Sequence, residues 1–223
     1  MNTLVSTVLD NLEKQLAGYQ YLLTYRYQNL CVKAEPAALL PVTININGEE
    51  QDIEHVADVA TPDDFHFQIL PKMTNSLEEI NIGILNAHPE FKPSFEQIDS
   101  ENPDTQYLVY EMPKVDKERH DFLMEATKGL HDECKARMEA LCGSQIDDFT
   151  ELFVSNPESL KEATDAIKDL RNEYLDNIDD VMEKKQDEIE EAYARYLVEE
   201  EEAHAAEDDN FDFSKGMRQE SLE

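Results

Sequence analysis

Basic side chains are scarce in this sequence. Nineteen lysines and arginines stand against 51 aspartates and glutamates, which gives a formal net charge of -32 over 223 residues. Nucleic-acid binding through a wide basic face requires clustered Lys and Arg, because each phosphate contact needs a positive charge close by. The composition therefore argues against that class of protein and favours basic proteins, or a metal-rich medium, as the surroundings of the chain.

Cysteines and long apolar runs are also few. The three cysteines, Cys31, Cys134 and Cys142, indicate a reducing compartment rather than a disulfide framework. Cys134 and Cys142 are eight residues apart on a predicted helix, and the resulting rise of about 12 Å exceeds the span of a disulfide. No stretch approaches the length of apolar residues that a membrane helix needs, so we expect no membrane span.

Sequence motifs for catalysis are missing. The chain contains neither the G-x-S-x-G motif of hydrolases nor a Walker-type phosphate loop, and its histidines are scattered. His131 and Cys134 have the spacing of two metal ligands on one helix, but no second pair at ligand spacing accompanies them. We interpret them as a solvent-facing histidine and a core cysteine. We therefore expect a protein that is not an enzyme and that needs neither a cofactor nor a metal.

What the sequence does contain is helical periodicity, strongest between residues 155 and 197. Ser155 is the predicted N-cap of this helix, and Pro157 lies in its first turn. About forty residues form a rod of about 60 Å, whose apolar stripe must be covered by other helices. The stripe consists of Leu160, Ala163, Ile167, Leu170, Tyr174, Ile178, Val181, Ile189, Ala192 and Tyr196.

Two other segments have the same period. Residues 3–29 form the first predicted helix, and a second begins after a cap at Asp116 and continues to Phe153. Its pattern weakens at Gly143, where we expect a bend or a break because glycine disfavours a helix interior. Three long helices with matching stripes predict a bundle.

The region between the first two helices changes character. Alternating apolar residues predict strands at 42–46, 65–69 and 106–111. A short helix is predicted from a cap at Asn75 or Ser76 through Asn86, followed by a loop that contains Pro89, Pro93 and Pro103. Two connections, near residues 30–36 and 104–114, join this region to the helices and predict a hinge.

The predicted fold class is α+β, a long three-helix bundle with an inserted small, β-rich α/β lobe. Residues 1–30 and 113–200 form the predicted bundle domain, and residues 31–112 form the predicted lobe. Residues 201–223 are acidic and lack a sustained apolar period, so we expect a disordered tail.

Several degenerate motifs occur in an informative order. Residues 33–40 are similar to a G-R-A-x-P-x-L-L hinge segment with one residue added, and residues 53–59 to an L-x-x-V-A-x-V stretch. Residues 67–72 are similar to a strand ending in F-D-K, and residues 113–123 to P-x-L-T-E-E-R-R-x-x-L. In this order they resemble the ribosome recycling factor family over residues 1–197. The resemblance implies a two-domain, L-shaped architecture.

The same resemblance marks one departure, in the second long helix. The family has an arginine-rich motif there, R-V-x-x-R-N-I-R-R, which holds RNA of the large ribosomal subunit. Counted from Asp116, this motif falls on residues 135–143. Lys135 keeps a matching charge, Arg137 is displaced, and Glu139 reverses the sign. A carboxylate facing phosphate is repelled, so the resemblance implies a kept fold with a changed surface.

The predicted site residues follow from the resemblance. Lys33, Pro36 and Pro113 are the predicted hinge residues, and the remaining cations of the second long helix are the candidate contacts to a partner or to ribosomal RNA. The alternative for these cations is ordinary pairing with nearby acids such as Glu133. The candidate contacts are Arg119, Lys128, Lys135 and Arg137.

Three functional hypotheses remain open. The first is a divergent ribosome recycling factor-like protein that acts as a non-catalytic, ribosome-associated structural or assembly factor in an organelle, docking on the large subunit through proteins more than RNA. The alternative is an active recycling factor that splits post-termination ribosomes with an elongation-factor GTPase. The second alternative is a subunit or adaptor of a non-ribosomal complex. We expect a mitochondrial protein, with the bacterial cytoplasm or a plastid as alternatives.

Overall fold

Three long helices and two short ones make up most of the chain. The computed structural model describes residues 3–98 and 106–219. The helices are α1 (Thr3–Tyr27), α2 (Ile53–Val56), α3 (Leu77–Ala87), α4 (Lys117–Leu152) and α5 (Pro157–Gln219). Short 3-10 helices occur at Pro36–Leu39 and Thr74–Ser76. Among the residues described, no helix is apolar over a length sufficient to cross a bilayer.

Helices α1, α4 and α5 pack around one apolar core, as their matching stripes predict. Every member of the predicted α5 stripe is buried or half-buried. Burial of these stripes removes apolar surface from water along the whole contact, which is the main stabilising effect for helices of this length. The fully buried residues of this core are Val5, Leu12, Leu16, Leu23, Tyr27, Cys134, Met138, Cys142, Phe149, Ala163, Ile167 and Ile178.

The helix termini confirm one predicted cap and correct another. The Asp116 carboxylate accepts a hydrogen bond from the Arg119 amide at 2.8 Å, as predicted. At the start of α5, however, the Asn156 side chain accepts from the Ser159 amide at 3.2 Å, so the prediction of Ser155 as the cap is wrong. Pro157 is the first helical residue, and the side chain immediately before it is the one placed to reach the free amides.

The expected interruption at Gly143 is absent, because α4 is continuous from Lys117 to Leu152. Buried Cys142 and Phe149 lie on either side of the predicted weak point and hold this turn against the bundle. Packing therefore outweighs the intrinsic cost of one glycine, which is about 1 kcal/mol relative to alanine.

The lobe contains a hairpin and a four-stranded antiparallel sheet. The strands are β1 (Thr43–Ile46), β2 (Glu49–Asp52), β3 (Ala57–Asp63), β4 (His66–Pro71), β5 (Lys92–Gln97) and β6 (Gln106–Glu111). β1 pairs with β2 across a turn in which Asn47 and Gly48 have φ of 55° and 88°. These left-handed conformations suit the Asn-Gly pair and match the twist of a two-residue hairpin. The other sheet has the order β3-β4-β6-β5.

The structure confirms β1, β4, β6 and α3 approximately where the sequence predicts them, but β2, β3 and β5 were not predicted. β5 lies in the predicted proline loop. Its edge position tolerates Pro93, because the missing backbone N–H of proline falls on the side of the strand that no other strand of the described residues occupies. Ser76 does not cap α3 through its side chain; its hydroxyl donates instead to the Met73 carbonyl at 2.7 Å. The lobe has its own apolar core, which includes Ile44, Phe67, Ile80, Ile84, Leu108 and Tyr110.

An elbow joins the lobe to the bundle. A third apolar cluster brings both connections, through Val32 and Val115, against Leu123 of α4 and Ile189 and Ala192 of α5. The two-domain α+β fold is therefore as predicted, whereas the exact domain boundaries stay predictions.

α5 continues past residue 200, after which the predicted tail begins, and the expected disorder of that tail stays a prediction. The backbone remains helical through Gln219, so no break marks residue 200. Residues 220–223 of the predicted tail lie outside the described residues. Glutamate and alanine, which are frequent from residue 199 to 207, have high helix propensity and explain why the helix continues.

Two histidines of α4 form polar links to α5 beside the apolar core. His131 is buried rather than solvent-facing as predicted, and its Nε2 lies 2.6 Å from Asp179 Oδ1. His120 Nε2 lies 3.2 Å from Glu190 Oε1, a contact with ion-pair distance but not hydrogen-bond geometry. The ring of His120 also stacks on Tyr193. Burial lowers the pKa of His120, but the Asp121 and Glu190 carboxylates outweigh burial and raise this pKa above its usual value.

Two glycine substitutions should have opposite effects on stability. A Cβ at Gly143 would meet no atom within 4 Å, whereas one at Gly83 would overlap Ile44 Cδ1 and lie 3.0 Å from the Thr43 carbonyl. We expect Gly143→Ala to raise the free energy of unfolding by about 1 kcal/mol through helix propensity. Gly83→Ala should lower it by about 1–3 kcal/mol through overpacking. Urea denaturation of both variants measures this, and equal effects would contradict the assigned environments.

The raised pKa of His120 predicts a pH dependence of stability. Protonated His120 contributes stability that is fully present below its unfolded pKa of about 6.5 and is lost as the pH rises through its higher folded pKa. We therefore expect His120→Asn to reduce the loss of stability between about pH 6 and pH 8. Urea denaturation across this range measures the difference. His55→Asn, at an exposed histidine, is the control, and identical profiles for the wild type and His120→Asn would overturn the assignment.

Candidate functional site

The candidate contact residues of α4 do not form one basic patch. At about 100° per helical residue, Arg119 and Arg137 lie on one flank of the helix, and Lys128 and Lys135 lie on the opposite flank. The apolar face that packs into the bundle lies between these flanks. A continuous strip of phosphate contacts along α4 would need these four cations on one side, so the described geometry does not bring them together.

Glu133 binds two of the cations on this helix surface. Its carboxylate accepts from Arg26 of α1 at 2.6 Å and from Arg137, one turn further along α4, at 2.7 Å. Arg26, and then Arg137, lower the pKa of the Glu133 carboxyl, so the acid stays charged at neutral pH. The pair between Arg137 and Glu133 is the i, i+4 pairing that the sequence suggests as the alternative to partner contact. Nothing in the sequence near Glu133 indicates the bond from Arg26, which lies 107 residues away.

The lysines are placed differently. Lys128 is exposed and makes no ion pair within the part of the chain that the structure describes. Lys135 is half-buried, and exposed Glu139 follows one turn later on the same flank. The sign reversal at Glu139 therefore lies on the protein surface, beside the lysine that keeps the motif's charge.

Arg119 points into the elbow rather than to solvent. Its guanidinium donates to the Cys31 carbonyl at 3.0 Å and lies 3.8 Å from the Glu90 carboxylate, with a side chain only 14% exposed. The Nε atom is buried and has no hydrogen-bond partner among the described residues. Arg119 thus links α4 to the segment that leads from α1 into the lobe. In this position it is poorly placed for contact with a phosphate backbone.

Glu90 continues this polar link into the lobe. Its carboxylate lies 3.5 Å from Nδ1 of His88, a buried side chain whose Nε2 lies 3.2 Å from the Ala38 carbonyl. Burial raises the pKa of the Glu90 carboxyl, but hydrogen bonding with His88 and its own backbone, together with the charge of Arg119, outweighs burial and lowers it. The Ala38 carbonyl, His88, Glu90 and Arg119 therefore form a chain of polar contacts that leads from the lobe to α4.

The predicted hinge residues lie at the surface of this elbow. Lys33 is exposed and pairs with Glu35 at 2.6 Å, Pro36 is the first residue of a 3-10 helix, and Pro113 is half-buried. Their neighbours Val32 and Val115 are buried in the elbow cluster. The connections are thus held by packing, and the role of the three hinge residues stays a prediction.

α5 adds contacts that sequence reasoning missed. Arg195 lies 3.2 Å from Asp64 at the β3–β4 turn, and Glu199 forms an ion pair with Lys114 of the second connection. The Lys114 ammonium also lies 5.7 Å from the ring centroid of Phe65. Nothing in the local sequence indicates these partners, because each pair joins distant parts of the chain.

Cys31, the cysteine whose carbonyl binds Arg119 at the elbow, is buried. Burial raises the pKa of the Cys31 thiol to about 12, which keeps it protonated and a poor nucleophile. Within residues 3–98 and 106–219, no group of three or more His, Cys, Asp or Glu side chains is arranged to hold a metal ion. The expected absence of enzyme activity, cofactor and metal stays a prediction.

Curated relatives of similar sequence are bacterial. The chain is 24% identical over 171 residues to the ribosome-recycling factor of Christiangramia forsetii, covering 75% of this chain and 88% of the relative. It is 26% identical over 144 residues to the ribosome-recycling factor of Salinibacter ruber, covering 60% of this chain and 72% of the relative.

Solved structures share the fold. A solution structure of the ribosome recycling factor matches with a TM-score of 0.70 and 17% identity, covering 86% of this chain and all of that one. A structure of the T. thermophilus ribosome recycling factor and the E. coli elongation factor G, bound to the E. coli post-termination complex, matches with a TM-score of 0.52 and 22% identity. It covers 81% of this chain and 98% of the matched chain.

A family model described as "Ribosome recycling factor" matches residues 26–189, which include both connections, the whole lobe and α4. The match spans more than half of the 223 residues, and so the protein belongs to the ribosome recycling factor family.

Proposed function

We propose that this protein is a divergent, non-catalytic member of its family that associates with the ribosome mainly through protein surfaces, as a structural or assembly factor. One observation supports this most directly. Glu133 engages both Arg26 and Arg137, and Arg119 is turned into the elbow. The arginines that remain on or beside α4 therefore have partners within the chain itself.

Phosphate binding would have to compete with these partners. The Glu133 carboxylate would have to release Arg26 or Arg137, and because both pairs are partly exposed to water each release costs little free energy. Each phosphate contact that is not made also removes the release of counterions that drives RNA binding. With a net charge of -32, the chain is better matched to basic protein surfaces than to RNA. We infer that its ribosomal contacts are on the large subunit and involve protein more than RNA.

Active recycling is the second candidate function. Its support is the elbow, which keeps the lobe attached to the bundle through two connections, together with the solved relative bound with elongation factor G to a post-termination complex. In that function this chain would act with a translational GTPase on post-termination ribosomes. An adaptor of a non-ribosomal complex has less support, because family membership favours a ribosomal role.

The proposed compartment also changes with the comparisons. A mitochondrial location stays a prediction that no observation supports, whereas both curated relatives come from bacteria. They support the alternative, in which the protein acts in the bacterial cytoplasm.

Salt dependence of ribosome binding distinguishes the two candidate functions. We expect binding to purified large subunits, measured by co-sedimentation, to weaken less than about tenfold between 50 and 200 mM KCl, because few phosphates are contacted. Arg137→Ala should change the affinity by less than about twofold, since Arg137 is paired with Glu133. Lys168→Ala, at an exposed lysine of α5, is the matched control.

Three other outcomes would contradict the proposal. A loss of about 1000-fold or more over the same salt range, with Arg137→Ala weakening binding about tenfold, would favour recycling through RNA contacts. Growth rescue of cells depleted of their own recycling factor would support that reading as well. Absence of the protein from every ribosomal fraction would overturn both ribosomal functions.

A further inference from the structure

β5 is an edge strand with two exposed apolar side chains at and just beyond its C-terminal half. It pairs with β6 on one side, and within residues 3–98 and 106–219 no strand pairs with its other side. All six of its residues are exposed. Phe95 is 57% exposed, and Ile98, immediately after the strand, is 64% exposed. Natural sheets usually protect such edges with charge, proline or a covering element. β5 has Lys92, Pro93 and Glu96, yet Phe95 and Ile98 remain uncovered beside them.

Phe95 belongs to a row of core residues that crosses the sheet. Ile69 pairs with Leu108, and Leu108 pairs with Phe95 on its other side. Directly paired residues share a face of the sheet, and the first two side chains of this row are completely buried. Phe95 ends the row at the sheet edge, where its ring is largely uncovered. If another strand paired with β5, its side chain opposite Phe95 would extend the row of Ile69, Leu108 and Phe95.

Pro93 determines which backbone groups face outward. Proline has no N–H, so the pair between Pro93 and Tyr110 cannot be one that exchanges two hydrogen bonds. Hydrogen-bonded pairs alternate along an antiparallel ladder, which assigns Lys92, Ser94 and Glu96 to bonding with β6. Phe95 and Gln97 then direct their N–H and C=O groups to the free side. The edge offers two donors, from Phe95 and Gln97, and three acceptors, because the Pro93 carbonyl faces the same side; the missing N–H of Pro93 limits the ladder at that end.

The charge of the lobe as a whole restricts the partner, since β5 itself carries one lysine and one glutamate. Residues 31–98 and 106–112 contain thirteen carboxylate side chains and three lysines. Their summed field attracts a cationic chain and repels an acidic one. A second copy of this protein, with a net charge of -32, would be repelled.

We propose that the free edge of β5 binds an extended, basic segment of a partner protein as an added strand. Backbone hydrogen bonds to Phe95 and Gln97 provide the pairing, and an apolar side chain of the partner packs against the Phe95 ring. Lysine or arginine at alternate positions of the segment meets the acidic field of the lobe. This mode of recognition takes its affinity from the main chain and its specificity from alternate side chains. The proposal does not depend on ribosome binding.

A synthetic octapeptide of alternating Lys and Val tests the proposal on the full-length protein. We expect the peptide at saturation to slow hydrogen exchange of the Phe95 and Gln97 amides at least about tenfold, because both become hydrogen-bonded. The same peptide N-methylated at alternate residues keeps its charge but cannot pair, and it should give no such protection. A Glu-Val octapeptide should not bind.

Substitutions separate strand pairing from general attraction. Phe95→Thr retains strand propensity and removes the ring, so it should weaken binding of the Lys-Val peptide at least about fivefold. Leu70→Thr, at an exposed apolar residue of β4, is the control and should have little effect. Urea denaturation of both variants establishes that each is folded.

Three results would overturn the proposal. The first is that the N-methylated peptide binds as tightly as the unmodified Lys-Val peptide. The second is that Phe95→Thr does not change the affinity for the Lys-Val peptide. The third is that the peptide slows amide exchange in the opposite edge strand, β3, and not in β5. The first would mean that attraction is electrostatic alone. The second would exclude Phe95 as the contact. The third would mean that the added strand pairs with β3 rather than with β5.

Discussion

The structure depends on the contact between α4 and α5 along nearly the whole of α4. α5 has an apolar stripe that no single neighbour could cover, and α1 and α4 bury it together. Because α4 and α5 are antiparallel and joined by a short loop, the start of α4 is held beside Ile189 and Ala192. The end of α1 reaches the same place. Both connections to the lobe therefore leave the bundle at the same place, and the position of the elbow is determined by the packing of the helices.

Several of the few basic residues of this acidic chain are paired within the molecule. Arg119, Lys114 and Arg195 connect the bundle, the two connections and the lobe around the elbow. Arg26 and Arg137 share the carboxylate of Glu133. Exposed pairs of this kind contribute little stability individually, but each occupies a cation that would otherwise be free to contact phosphate. The family fold and the altered surface are thus compatible.

Elements with strong periodicity were predictable, and those without it were not. The apolar spacing in α1, α4 and α5 and the alternation in β1 and β6 indicate their structures directly. β5 contains a proline and a single large apolar residue in six, so its sequence has the composition of a loop. It becomes a strand because β6 offers it a complete set of partners. The cap of α5 was missed by one residue, since Ser155 and Asn156 are both good caps and only backbone geometry selects between them.

The sequence alone determined that three amphipathic helices enclose a core, that a small β-rich lobe interrupts them, and that Glu139 reverses the charge of a family motif. Periodicity and side-chain charge are local properties, so they can be read along the chain. The tertiary structure decided which partners meet. The Arg119 guanidinium bonds a carbonyl 88 residues away, and Arg195 pairs with an acid 131 residues away. Local patterns report that a side chain is buried or charged, but only the folded path of the chain determines which group lies opposite it.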